Sequence, residues 1–258
     1  MGANADRAPV LSVRGLSKTF RSVRGADVAA VDDVTFDVAA GSCFGLVGES
    51  GSGKSTVASL VMGMVRPDAG SIVLQGEDIA HLRGRRARLI FDRAQMVFQN
   101  PVGSFDPRHT LGCGVAEGLR NRGMAKKPAE MRARALMQRC GLAPELFERF
   151  PHQVSGGQCQ RAAIARALVC QPALLICDEA TSALDVTVQS QIVELLEGIR
   201  EETGMAQLII CHDMALVQRM CDTVAVMCAG RIVESGPADQ VIAHPRHDYT
   251  KSLIEAVL

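Results

Sequence analysis

The feature that most constrains this chain is the nonapeptide GESGSGKST at residues 48–56, which continues the apolar run CFGLVG at 43–48. It fits the pattern G-x-x-x-x-G-K-[ST], and such a match arises by chance on the order of once in a hundred chains of this length. A continuous apolar run that ends in glycine is typical of a buried parallel strand, and a helical pattern from about Ser55 to Met64 follows. The spacing therefore predicts a strand, a tight loop and a helix in direct succession, as in α/β folds.

The residue types of this loop suit the binding of phosphate. Glycines let backbone N–H groups turn inward around phosphate oxygens, and the start of the following helix adds a partial positive charge. Lys54 is placed for the β- and γ-phosphates of a nucleotide, and Ser55 is placed for Mg²⁺. The alternative is a glycine-rich turn with an exposed lysine. The predicted nucleotide-binding residues of the loop are Gly48, Glu49, Ser50, Gly51, Ser52, Gly53, Lys54, Ser55 and Thr56.

A second apolar run, LLICDE at 174–179, ends in two carboxylates. Ligands of open α/β sheets bind at the carboxyl ends of the strands, so we expect Asp178 to help hold Mg²⁺. Glu179 lies one residue further, where it would orient or deprotonate a water that attacks the γ-phosphate. Taken alone, an acidic pair after an apolar run is often only the start of a helix.

The segment VSGGQ at 154–158 is a second place where a phosphate would meet the start of a helix. Ser155 and Gln158 have the spacing of a capping box, in which each side chain bonds to the backbone of the other residue. A capped helix start with exposed glycines also receives anions, so the structural and the functional interpretations are compatible.

Strand-like and helix-like segments alternate along the chain, which predicts an α/β fold with a parallel sheet. Exceptions are two alternating, strand-like segments at 10–20 and 31–42 with a loop between them, a hairpin at 223–236, and a long helical stretch. We expect residues 1–9 to be disordered and 10–258 to form one domain. Within it, the predicted units are a core with a β-subdomain (10–99 and 171–236), a helical subdomain (100–170) and a short C-terminal extension (237–258).

Composition excludes several classes of protein. The 258 residues carry 28 Lys and Arg against 28 Asp and Glu, so no net charge attracts the chain to nucleic acid. The nine cysteines are scattered without CxxC spacing, and we expect buried, reduced thiols in a cytosolic protein. No apolar run approaches the roughly 20 residues of a membrane span, and the sequence starts without the apolar core of a signal peptide.

The motifs together resemble one family. GESGSGKST, Gln99, VSGGQ, LLICDE, SALD (182–185) and the histidine of CHD (211–213) occur in the order seen in ATP-binding-cassette (ABC) ATPases, and the match runs from about residue 10 to 258. The resemblance implies an α/β P-loop NTPase with a RecA-like core, an N-terminal antiparallel β-subdomain and an inserted α-helical subdomain. It also implies ATP hydrolysis, with ATP and Mg²⁺ as cofactors.

The resemblance further implies that two subunits share each nucleotide. The P-loop of one subunit and the signature of the other, here Ser155, Gly156, Gly157 and Gln158, close over one ATP. Hydrolysis removes the γ-phosphate that bridges the two surfaces, and the dimer then opens.

Other roles carry over by position. Phe20 matches the aromatic residue that stacks on adenine, although a core phenylalanine is the alternative. Gln99 matches the residue that reaches Mg²⁺ and couples the site to the helical insert. Asp185 matches the loop that crosses to the partner subunit, and His212 matches the switch histidine at the γ-phosphate.

Three further segments resemble the subgroup that serves oligopeptide, dipeptide and nickel importers: QNPVGSFDPR (99–108), DVTVQSQIVELL (185–196) and HPRHDYTKSLI (244–254). This resemblance implies a peripheral subunit on the cytoplasmic side of the cell membrane. Its partners would be a second ABC ATPase subunit, identical or different, two permease subunits and, indirectly, a substrate-binding protein. The sequence ends soon after HPRHDYT, where many peptide importers carry a cysteine-bearing tail, so nickel or another small cargo stays open.

Two other functions compete with transport. One is an ABC ATPase of a soluble enzyme assembly, for example in phosphonate breakdown. The other is an ATPase associated with nucleic acid or ribosomes, which would usually show a long coiled-coil insert or two cassettes in one chain.

The helical stretch also has a local excess of positive charge, since residues 101–139 hold eight basic and three acidic side chains. We hypothesise that it faces anionic headgroups and the loops of a permease. The alternative is a solvated helix face.

Overall fold

Two sheets organise the molecule. The computed structural model describes residues 8–21, 27–180 and 186–255. The strands, in chain order, are β1 (Pro9–Arg21), β2 (Asp27–Ala39), β3 (Cys43–Val47), β4 (Ala69–Leu74), β5 (Glu77–Asp78), β6 (Ala94–Val97), β7 (Leu174–Asp178), β8 (Ala206–Cys211), β9 (Thr223–Cys228) and β10 (Arg231–Pro237). An antiparallel sheet has the order β2-β1-β4-β5, and a larger sheet has the order β10-β9-β3-β8-β7-β6.

The larger sheet is parallel from β9 to β6 and ends in the antiparallel strand β10. Every residue of β3, β7 and β8 is buried, which explains why these strands read as continuous apolar runs. Successive side chains point to opposite faces. Leu46 packs in the core shared with the antiparallel sheet, whereas Val47 packs in the core shared with the helices.

Helices pack in both cores. The helical residues Val57, Leu60 and Ile90 lie in the core shared with the antiparallel sheet, whereas Ile164, Val193 and Val217 lie in the other core. Between β6 and β7 the structure describes every residue of 100–170 and contains helices and short 3₁₀ turns but no strand. The helices are α1 (Lys54–Val61), α2 (Arg88–Arg93), α3 (Leu111–Asn121), α4 (Lys126–Arg139), α5 (Gly156–Leu168), α6 (Val186–Thr203), α7 (Met214–Met220), α8 (Ala238–Ala243) and α9 (Asp248–Glu255).

The predicted elements are present, with corrections at their boundaries. Pro9, which was expected to be disordered, is the first residue of β1, and residues 1–7 lie outside the described part. The loop predicted between the first two strands is shorter than expected, because Arg21 still pairs with Asp27 across β1 and β2. The division into a core, a helical subdomain and a C-terminal extension stays a prediction.

From the sequence, the arginines of RGRRARLIFDR at 83–93 are expected to lie in a solvated loop, and the structure corrects this in part. Arg83, Arg85, Arg86 and Arg88 are exposed as expected, but most of the segment is helical. The segment contains a 3₁₀ turn and helix α2. Ile90 is buried in the core, and the Arg93 guanidinium donates to the carbonyl of Leu74 and forms an ion pair with Glu77. Tertiary contacts of one apolar and one basic residue thus order an arginine-rich stretch that has little helical periodicity of its own.

The cysteines are free thiols, seven of them buried and the other two half-buried. Burial raises the pKa of Cys140 to about 12 and that of Cys159 to about 11, so both stay protonated at neutral pH. No helix within the described ranges has the length and apolar character needed to cross a membrane.

The positive charge of residues 101–139 is largely compensated. Five of its eight basic side chains form ion pairs, three of them with acids from outside the segment. This favours a solvated helix face over a surface that attracts anionic lipid. The pairs are Arg108–Asp106, Arg122–Asp92, Lys126–Glu130, Arg134–Glu148 and Arg139–Glu202.

Candidate active site

The loop between β3 and α1 is held tightly between neighbouring strands. Gly48 has a φ of +150°, and a β-carbon there would lie 2.1 Å from the carbonyl oxygen of Met227 in β9. Gly53 has a φ of +107°, and its β-carbon would lie 2.1 Å from the carbonyl oxygen of Ala30 in β2. Both positions therefore require glycine for space as well as for backbone conformation.

Lys54 lies inside this loop, with only 4% of its surface exposed. Its ammonium donates to the carbonyl oxygens of Gly48 at 2.7 Å and Glu49 at 2.8 Å, and to the Ser52 hydroxyl at 3.3 Å. Burial lowers the pKa of Lys54, and the nearby Glu179 carboxylate acts in the opposite direction. The alternative of an exposed lysine on a glycine-rich turn does not hold.

Ser55 joins the loop to the acidic end of β7. Its hydroxyl donates to the Asp178 Oδ1 atom at 3.0 Å, and Asp178 is buried. Burial raises the pKa of Asp178, while the hydrogen bond from Ser55 and the positive charge of Lys54 lower it. This contact links residues 123 positions apart. It is possible because only one strand, β8, separates β7 from β3 in the sheet.

Glu179 connects the ends of three neighbouring strands. Its backbone has a φ of +48°, and its N–H donates to the carbonyl of Ile210 in β8 at 2.8 Å. The Gln99 amide, just after β6, donates to one carboxylate oxygen of Glu179. The His212 Nδ1 atom, just after β8, lies 3.6 Å from the other. A left-handed backbone is unfavourable for a residue other than glycine, so the surrounding contacts must hold Glu179 in this conformation.

The VSGGQ segment forms the start of α5. The hydrogen bonds that shape it join Ser155 and Gln158 to each other and not to the cluster around Lys54. The Ser155 hydroxyl accepts from the Gln158 N–H at 3.2 Å, and the Gln158 side chain accepts from the Ser155 N–H at 2.9 Å. Both halves of the capping box are therefore formed. Ser155 and Gly156 are exposed, and a β-carbon at Gly156 would meet none of the described residues within 4 Å. Packing against the described part of the chain thus gives no reason for glycine at this position.

Of the remaining predicted residues, Phe20 takes part in none of these contacts. Phe20, near the end of β1, is 40% exposed, and the Lys18 ammonium lies 5.5 Å from the centre of its ring. This exposure disfavours the alternative of a core phenylalanine. Asp185 lies outside the described residues. The roles of the individual site residues stay predictions.

One contact of the site was missed in the sequence. The hydroxyl of Tyr249 in α9 accepts a hydrogen bond from the Glu49 N–H at 3.0 Å. Tyr249 is the single tyrosine of the chain and belongs to the HPRHDYT segment, which served only as a subgroup resemblance. No pattern relates residues 200 positions apart, so only the fold reveals this contact.

This geometry defines a class of protein. A glycine loop around a buried lysine, a serine bonded to an aspartate, and a glutamate between a glutamine and a histidine are the arrangement expected of a P-loop nucleoside-triphosphate hydrolase. The family model described as ABC transporter matches residues 31–182. The chain belongs to the ABC transporter family and is an ATP-binding ATPase of that family.

Individual relatives and a solved structure support this family assignment. The putative peptide import ATP-binding protein BOV_A0347 of Brucella ovis is 42% identical over 250 residues, which cover 96% of this chain and 78% of the relative. The oligopeptide transport ATP-binding protein OppF of Salmonella typhimurium is 44% identical over 230 residues, covering 88% and 69%. A dimeric structure of MJ0796, a bacterial ABC transporter cassette, has a TM-score of 0.83 at 25% identity, covering 88% and 98%. These similarities confirm the predicted family and fold.

Proposed function

We propose that the chain is the nucleotide-binding subunit of an ABC importer and powers uptake of peptides, nickel or a similar small solute. Transport would be driven by closure of an ATPase dimer when ATP binds and by opening of this dimer after hydrolysis. The observation that carries this proposal is the cluster of Lys54, Ser55, Asp178 and Glu179, with Gln99 and His212, at one edge of the large sheet.

The phosphates of ATP would lie against the loop around Lys54. The ammonium would then exchange part of its three hydrogen bonds within the loop for bonds to the β- and γ-phosphate oxygens. Glu179 is held by Gln99 and by the bond of its own N–H to β8, so its carboxylate is fixed before substrate arrives. The attacking water would give a proton to Glu179 as its oxygen bonds to the γ-phosphorus. The bond to the bridging oxygen of ADP then breaks.

The donor atoms around Asp178 also suit Mg²⁺. The residues that would hold it are Ser55 through its hydroxyl, Asp178 through its carboxylate and Gln99 through its amide oxygen. Mg²⁺ typically binds through one or two carboxylates together with phosphates and waters. The ion would neutralise charge on the phosphates.

The exposed start of α5 supports a shared site. A capped helix start that carries an uncrowded glycine is open to an anion approaching from another molecule. We therefore propose that Ser155, Gly156, Gly157 and Gln158 contact the γ-phosphate of the ATP bound by a second ABC ATPase subunit, identical or different. Asp185 would lie on the loop that crosses to that subunit, and Phe20 would stack on adenine.

Two permease subunits and a substrate-binding protein would meet the cargo, and this chain would bind the permease from the cytoplasmic side of the membrane. The relatives named above are peptide import and oligopeptide transport ATP-binding proteins, which favours peptides over nickel as the cargo. The same names favour transport over a role in a soluble enzyme assembly. That assembly remains the second candidate, because its ATPases would use the same site.

The test is the variant Glu179→Gln in size-exclusion chromatography with ATP and Mg²⁺. Glutamine keeps the size of the side chain but takes no proton from water. ATP should therefore bind, turn over very slowly and accumulate a closed dimer, whereas the wild type should stay mainly monomeric. A variant that stays monomeric with bound ATP, even beside candidate companion subunits, would refute the shared site. Turnover at the wild-type rate would refute the role of Glu179.

A further inference from the structure

The peptide group between Gly48 and Glu49 is held from both sides. Its carbonyl oxygen accepts a hydrogen bond from the Lys54 ammonium at 2.7 Å, and its N–H donates to the Tyr249 hydroxyl at 3.0 Å. Every peptide bond in the described part of the chain is trans, so these two groups point in opposite directions. Lys54 thus holds the inner side of this peptide group, and Tyr249 holds the outer side.

This peptide group needs an external restraint. It begins at Gly48, whose φ of +150° is open only to glycine, and glycine backbone rotates more freely than that of other residues. A rotation of the peptide group would turn its carbonyl away from Lys54. The bond to Tyr249 opposes that rotation and keeps the carbonyl directed at the ammonium.

Tyr249 is itself well anchored. The Glu234 carboxylate in β10 accepts from the backbone N–H groups of Arg246 at 2.9 Å and His247 at 3.0 Å. The His247 Nδ1 atom then accepts from the N–H of Tyr249 at 3.1 Å. Further along α9, Leu253 and Ile254 are buried in the core shared with the helices. The backbone around Tyr249 is therefore anchored to β10 through Glu234, while its hydroxyl binds the loop.

We propose that Tyr249 is a positioning residue of the nucleotide site. It fixes the peptide group of Gly48 and Glu49, and through it the place where the Lys54 ammonium meets the phosphates. Tyr249 would act only through its hydrogen bond to the Glu49 N–H and not by touching the reacting atoms. The inference rests on the proposed ATP site at Lys54, and it makes the C-terminal segment a working part of that site.

The variant Tyr249→Phe removes the hydroxyl and keeps the ring. We expect its affinity for a fluorescent ATP analogue to fall roughly three- to tenfold, the range for the loss of one hydrogen bond. The KM for ATP should rise by a similar factor, while kcat at saturating ATP should stay within about twofold. Without nucleotide, amide hydrogen exchange in a peptide covering 43–55 should be faster than in the wild type.

The matched control is Ser252→Ala on the same helix. The Ser252 hydroxyl donates to the carbonyl of Asp248 within α9 and does not reach the loop. This variant should leave both ATP affinity and loop exchange at the wild-type level. Should Tyr249→Phe fail to fold, Glu234→Ala loosens the anchor of Tyr249 instead and should shift affinity and exchange in the same direction by a smaller factor.

The variant Lys54→Ala distinguishes a failure of the proposed ATP site from a failure of the proposed role of Tyr249. If it loses ATP binding while Tyr249→Phe keeps wild-type affinity and exchange, the inference on Tyr249 is overturned and the ATP site stands. A lower melting temperature of Tyr249→Phe without a change in affinity also overturns it, because that marks a purely structural role. If Lys54→Ala binds ATP as the wild type does, the proposed site itself is wrong.

Discussion

The close approach of the nucleotide loop to β9 predicts how two glycines of the same loop respond to alanine. At Gly48 the new β-carbon would lie 2.1 Å from the carbonyl oxygen of Met227, where an ordinary contact starts at 3.4 Å. Backbone would therefore have to move by about 1 Å, at a cost of roughly 1–3 kcal/mol. The left-handed φ adds about 1–2 kcal/mol, so Gly48→Ala should lose roughly 2–5 kcal/mol in total.

Gly51 is the matched control. Its φ of +84° is also unfavourable for alanine, yet a β-carbon there would have no neighbour within 4 Å among residues 8–21, 27–180 and 186–255. Gly51→Ala should therefore lose only the backbone contribution, about 1–2 kcal/mol. At about 2–4 °C per kcal/mol for a chain of this size, Gly48→Ala should melt several degrees lower than Gly51→Ala.

The assay is thermal unfolding by circular dichroism without nucleotide, which keeps ligand binding out of the comparison. Urea unfolding of both variants checks that the difference lies in the free energy and not in the cooperativity. Equal losses for the two variants would show that the contact with Met227 does not constrain the loop, and would refute the steric reasoning.

Two further predictions concern the second phosphate surface and the buried carboxylate. Ser155→Arg should bind ATP with wild-type affinity. In the Glu179→Gln background it should nevertheless fail to form the ATP-dependent dimer, because the bulky arginine side chain blocks the exposed start of the helix. A dimer of normal yield would argue against the shared site. Burial raises the pKa of Asp178 above its unfolded value, so its charge destabilises the nucleotide-free fold fully above the folded pKa and not at all below the unfolded pKa. The urea midpoint of Asp178→Asn, compared with that of the wild type, should therefore be higher at pH 7 than below about pH 4. A variant whose relative midpoint is instead lower at pH 7 than in acid contradicts this sign.

The local chemistry of the site could be predicted from the sequence because it is written in consecutive residues. The P-loop motif spans only nine consecutive residues, 48–56. The roles of its glycines, lysine and serine follow from backbone conformation and charge. The buried strands were equally clear, because a strand covered on both faces must be apolar throughout, as in residues 43–47 and 174–177. The capping box at Ser155 and Gln158 is likewise a matter of spacing within one turn.

Other features were decided by tertiary structure alone. Helix α2 forms at 88–93 because Ile90 and Arg93 find partners elsewhere in the fold. The meeting of Gln99, Glu179 and His212 depends on the order β8-β7-β6, and a sequence shows where a strand ends but not which strand lies beside it. The bond from Glu49 to Tyr249 depends on how the last helix returns to the sheet. Contacts between distant residues arise from the packing of whole elements, whereas a motif records only the chemistry of its own neighbours.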